Sequence, residues 1–139
     1  MTREARTMAG IILLTVPTIQ YGGYFLLTSL RDRNSHYMDN ALRQSFFRAG
    51  HAHAGVFVIL SLVCQLLADA AVLPTPWMWV ARIGVPAAAI LIPMGFFLSM
   101  TSPTATQANG LITLIYVGAV ALAASVLTLG VGLLRTPSA

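Results

Sequence analysis

Four apolar stretches, each long enough to cross a bilayer, constrain this 139-residue chain more than any other feature. About 20 helical residues cover the roughly 30 Å of hydrocarbon in a membrane. Residues 8–30, 46–70, 77–100 and 108–134 all meet that length. Composition agrees: 57% of residues are hydrophobic and 9% charged, where a soluble domain carries about 25% charged residues. Lipid is therefore the expected solvent, which excludes a secreted disulfide scaffold, a disordered tail and a cytosolic enzyme. Short connections between helices favour antiparallel neighbours. The expected architecture is all-α, an up-down-up-down transmembrane four-helix bundle forming a single integral membrane domain over residues 1–139. Residues 2–7 have the charge of a signal-peptide start. The apolar run that follows is too long, and no small-x-small site closes it before Arg31, so it reads as a retained span.

The few charges mark the span ends. Eight arginines and no lysine face Glu4, Asp32, Asp39 and Asp69, for a net charge of +4. These arginines sit where phospholipid headgroups would meet them, which favours membrane anchoring over nucleic acid. Arg48 and Asp69 are 21 residues apart, about 31 Å along a helix, and so bracket one bilayer thickness. The polar loop 31–45 is the only sizeable connection, and Asp39 or Asn40 is a candidate N-cap for a second helix starting at Ala41. The turn 73–76 is followed by Trp77 and Trp79 as interface anchors. Across that turn an Asp69–Arg82 ion pair is expected, with snorkelling of Arg82 as the alternative. Pro17, Pro86 and Pro93 are expected to kink their helices. Gly118, Ala121 and Ser125, with Ala119 and Ala123, form a small-residue face for close packing within the bundle or between protomers. Cys64 has no partner and reads as a packing residue. Each membrane face carries four arginines: Arg3, Arg6, Arg82 and Arg135 on one, Arg31, Arg33, Arg43 and Arg48 on the other. The short basic N-terminus then places both termini in the cytoplasm of a bacterial cell, with the protein in the cytoplasmic membrane.

The most unusual stretch is residues 46–55, FFRAGHAHAG. His51 and His53 stand about 200° apart around a helix, so they cannot face one point, and a bis-His haem or zinc site on this helix alone is disfavoured. One reading is a close helix crossing built on Gly50, Ala54 and Gly55, with one histidine in the bundle and the other at the headgroups. The other reading is a site. Tyr24, with Gln20 and Tyr21, reaches similar depth from the first helix. Met94, Ser99 and Met100 do so from the third, and Gln107, Asn109, Thr113 and Tyr116 from the fourth. The candidate cofactor-binding residues are His51, His53, Tyr24 and Tyr116, and the candidate metal ligands are His51, His53 and Met94. Imidazole and thioether suit copper or haem iron, and imidazole with phenol suits a quinone headgroup. Phosphate-binding loops, zinc-type cysteine pairs and paired catalytic carboxylates are absent from the sequence. The first helix also lacks the carboxylate that a small multidrug transporter would need.

Residues 21–27, YGGYFLL, together with 46–55, resemble a family of small, uncharacterised bacterial four-span membrane proteins, actinobacterial-like in their Ala and Arg usage. That resemblance covers the first half of the chain and implies no activity. A histidine near the start of the second span is also similar to the haem-ligating second helix of haem-copper oxidase catalytic subunits. There the partner histidine comes from a distant helix, whereas here the third and fourth helices contain none and His36 lies in a loop. Three function classes follow. The leading one is a non-enzymatic membrane subunit or binding protein, working in the bilayer as a homo-oligomer or part of a larger complex. The second is a haem-, copper- or quinone-binding redox protein. The third is a small oligomeric transporter or channel with Gln20, Gln65 and Asp69 along its path.

Overall fold

A computed structural model describes residues 1–135. It is helical, with α1 over Arg3–Arg31, α2 over Ala41–Ala68, α3 over Thr75–Leu98 and α4 over Thr113–Leu134. The last of these follows a short 3-10 turn at Gly110–Ile112. All four are long and apolar enough to cross a membrane, so the chain is a multi-pass membrane protein of the all-α, four-helix type.

Local chemistry sets the helix ends. Thr2 caps α1 by accepting a hydrogen bond from the Ala5 amide at 3.2 Å. Asn40, one of the two expected caps, starts α2 by accepting from the Arg43 amide at 2.9 Å. The same Asn40 side chain donates to the carbonyls of Pro103 and Ala105, at 2.9 Å each. Asn109 works alike at the other loop, accepting from Leu111 and donating to the Leu98 carbonyl. Two asparagines thus fasten the first and third connections over one end of the bundle.

The packing is uneven. Helix α3 lies centrally, against α2 on one side and α4 on the other, while α1 rests mainly on α2 and has no contact with α4. Glycines bring α3 and α4 together. A Cβ on Gly84 would lie 2.5 Å from Ser125 Cβ, and one on Gly95 or Gly118 would lie 2.6 Å from Ile115 or Ile92. Ser125 Oγ also donates to the Ala81 carbonyl at 2.8 Å. Of the small-residue face on α4, Gly118 and Ser125 are buried and Ala121 half-buried, whereas Ala119 and Ala123 are exposed. Its inner part therefore serves the bundle, as close approach between membrane helices requires. Gly50 does the same for α2 and α3, because a Cβ there would stand 3.0 Å from Phe96 and Phe97.

Candidate functional site: a groove between α1 and α3

The two histidines diverge, as their 200° separation requires. His51 turns towards α1 and fits against Gly22 and Gly23, where a Cβ on Gly23 would come within 3.2 Å of its ring. His53 turns towards α3, its ring centroid 5.2 Å from that of Phe96 and 5.4 Å from that of Phe57. Its Nδ1–H donates to the Ala49 carbonyl at 2.7 Å. Neither ring nitrogen of His51 has a hydrogen-bond partner among the described residues.

The other candidate residues do not join them. Tyr24 is 62% exposed, Tyr116 64% and Met94 42%. Among the described residues no group of three or more His, Cys, Asp or Glu side chains could hold a metal. Met100 and Ser99 are buried for structural reasons. Met100 packs with Tyr37 and Phe47 under the first loop, where its carbonyl accepts from Arg43 Nε at 3.1 Å. The Arg43 guanidinium lies 4.7 Å from the Phe47 ring centre, a cation–π distance. Tyr37 was hidden in a loop that reads as polar. Burial pushes its phenol up from the ordinary value, against a pull from Arg48 and Arg43, so at neutral pH it is an uncharged anchor.

A site of a different kind comes from the packing. Because α1 leans on α2 and stands clear of α4, a groove opens between α1 and α3 with α2 as its floor. Its cavity volume is about 400 Å³, within the roughly 300–1,000 Å³ of ligand sites. Ile11, Thr15 and Ile19 form one wall, Ala89, Pro93, Met94 and Phe97 the other, and Ala54, Val58 and Ser61 the floor. The hydroxyls are committed to their own helices: Thr15 to the Ile12 carbonyl, Thr18 to Thr15 and Ser61 to Phe57, all at 2.6–2.7 Å. What remains is an apolar surface open to lipid. His51 stands one turn beyond Ala54 on α2, against glycines one turn beyond Ile19 on α1. It therefore stands just beyond the groove lining, towards the first and third loops. Met94 is the one candidate ligand residue that lines the groove.

The opposite end is locked. Buried Arg82 donates to Asp69 Oδ1 at 2.7 Å and to the Gln65 backbone and side-chain oxygens at 3.3 Å. Pro86 has no amide hydrogen, so α3 cannot bond the Arg82 carbonyl in the usual way. Gln65 Nε2 donates to that carbonyl instead, at 2.7 Å. Thr2 completes the cluster, its amide donating to Asp69 Oδ2 and its hydroxyl to Oδ1, both at 2.7 Å. The expected ion pair is present and Arg82 does not snorkel. Gln65 and Asp69 serve this clasp, while Gln20 is exposed on the far side of α1. Against family models, curated proteins and solved structures the chain has no match.

Proposed function

We propose that this chain is a non-enzymatic binding protein of the bacterial cytoplasmic membrane, with cytoplasmic termini, that holds one lipid chain in the groove between α1 and α3. The observation that carries this reading is a groove of about 400 Å³ with apolar walls and no free hydroxyl. An acyl or isoprenoid chain is slender and apolar, and reaches the groove sideways from the bilayer. The locked end supports the same reading, since the Arg82 cluster fixes α1 against α2 and α3 and keeps the groove open.

A second reading is favoured by His51. Its imidazole stands beyond the groove end with no hydrogen-bond partner among the described residues, so an isoprenoid quinone with its tail in the groove could place its headgroup there and accept a hydrogen bond. The haem and copper readings have no comparable support, because the candidate ligands point apart. The transport reading has none either, because Gln20 lies apart from Gln65 and Asp69.

The test uses lipids bearing a photoreactive group on the chain, either a phospholipid or an isoprenoid quinone. Labelling is expected at Ile11, Thr15, Ile90 and Met94, and Ala89→Trp, which fills the groove, should lower it at least five-fold. Labelling spread evenly over the outer faces of α1 and α4 would remove the proposal. A second expected result separates the two readings: His51→Phe weakens quinone labelling several-fold and leaves phospholipid labelling unchanged if the quinone reading holds.

A further inference from the structure

The side of α1 away from the groove carries a second feature. Gly10, Leu13, Pro17, Gln20, Tyr24 and Leu27 follow each other in steps of three and four, the 3.5-residue repeat of a helix-pairing seam. All six are exposed. Gln20 lies 17 residues from Arg3 and 11 from Arg31, or about 25 Å and 17 Å along the helix, well inside the hydrocarbon. The side-chain hydrogen bonds along this stretch belong to Thr15, Thr18 and Thr28, each to a carbonyl of its own helix. The Gln20 amide and Tyr24 hydroxyl have no partner among the described residues.

An amide facing hydrocarbon alone is costly, and glutamine in a membrane helix commonly bonds across to another helix. We infer that α1 pairs with α1 of a second copy of this chain along the seam, with the two Gln20 amides exchanging hydrogen bonds.

The occupant follows from symmetry. Two copies inserted in the same direction are related by an axis along the bilayer normal, so each residue meets its own counterpart at the same depth. A carboxamide has both donor and acceptor, so two identical amides satisfy each other. A different partner would need its own polar group at that depth. Gly10 adds room for approach, as a Cβ there would have nothing within 4 Å. The groove-lining residues Ile11, Thr15 and Ile19 occupy another face of α1, so the pairing does not rest on the lipid reading.

Single cysteines test the pairing in native membranes under mild iodine oxidation. Tyr24→Cys and Leu27→Cys, on the seam, are expected to give disulfide-linked dimers. Leu14→Cys and Tyr21→Cys, exposed but off the seam, are not, and the unaltered chain, with Cys64 buried, serves as the control. In proteoliposomes, Gln20→Leu should weaken dimer formation, read by energy transfer between labelled copies, roughly ten-fold. Gln20→Asn should restore part of it. Gln20 is exposed and makes no side-chain hydrogen bond among the described residues that a leucine would break, and thermal unfolding checks that the fold survives. Equal cross-linking on and off the seam, or an unchanged dimer with Gln20→Leu, would overturn the inference. So would a monomer that loses a different co-purifying protein on that substitution.

Discussion

Asp69→Asn is expected to destabilise the fold by about 3 to 5 kcal/mol, the usual cost of leaving a buried charge without its counter-ion. Arg82 is 4% exposed, and Asp69 is its salt-bridge partner. Without the carboxylate, the guanidinium keeps at best a neutral amide oxygen in its place, beside the weaker 3.3 Å contacts to Gln65 and a 3.4 Å contact to Thr2, and loses its counter-charge. The asparagine Nδ2 cannot accept, so one of the two Thr2 donors, amide or hydroxyl, loses its acceptor and the start of α1 should loosen with it. Hydrogen exchange at the Ala5 and Arg6 amides, which donate to the Thr2 hydroxyl and carbonyl oxygens, would report that loosening separately from global unfolding. Arg82→Met with Asp69→Leu should be milder than either single change, because it removes both charges. The same pair gives a pH dependence. The Arg82 hydrogen bond, with help from Thr2, holds the Asp69 carboxyl at about 2, whereas an unfolded aspartate titrates near 3.9. A depressed carboxyl stabilises the fold above its unfolded value and loses that contribution as pH falls through the folded one. Thermal stability in lipid nanodiscs should therefore be insensitive to this group from pH 7 to about 5 and decline between about pH 4 and 2. Asp69→Asn should remove that decline.

Gly84→Val is the second large effect, expected to prevent α3 and α4 from closing. Even the first added carbon would stand 2.5 Å from Ser125 Cβ and 2.6 Å from the Ala121 carbonyl oxygen. The latter is backbone and cannot rotate away. Overpacking typically costs 1–3 kcal/mol. Gly84→Ala should lie at or above about 3 kcal/mol and Gly84→Val well beyond it. The Ser125 bond to the Ala81 carbonyl would part as the helices separate. Gly55→Ala and Gly130→Ala are the controls, since a Cβ at either meets nothing within 4 Å. Both should be neutral or slightly stabilising, by up to about 1 kcal/mol on helix propensity. Unfolding in mixed micelles would rank the four variants. Similar losses in all four variants would mean that the α3–α4 contact is not limited by backbone approach.

Much of this fold was legible from residue type and position along the helix. Span lengths, the Asn40 cap, the Asp69–Arg82 pair and the divergence of His51 from His53 all depend on one dimension, distance along a segment. The Gln65 role was missed: Pro86 frees the carbonyl four residues earlier, at Arg82, but nothing in the sequence says which donor fills it. Which face of each helix meets lipid and which meets its neighbours was not readable. A membrane helix is apolar towards lipid and towards its neighbours, so the contrast that orients a soluble helix is absent. Tyr24 and Tyr116 face outward for that reason, and Met94 lines the groove and not the surroundings of the histidines. The groove arises from α1 standing clear of α4, a matter of packing between segments far apart in sequence. Tyr37 was missed because a polar loop gave no sign that one of its residues turns back under Phe47 and Met100.

The groove assignment is tested most directly by native mass spectrometry of the intact protein released from bilayers containing both phospholipid and isoprenoid quinone. The expected result is one retained lipid-sized mass for each wild-type chain. Ala89→Trp and Ala54→Phe should release as bare chains while unfolding at the same temperature as the wild type. Retention of the same mass by both groove-filled variants, or its absence from the wild type under conditions that preserve the fold, would contradict a lipid held between α1 and α3.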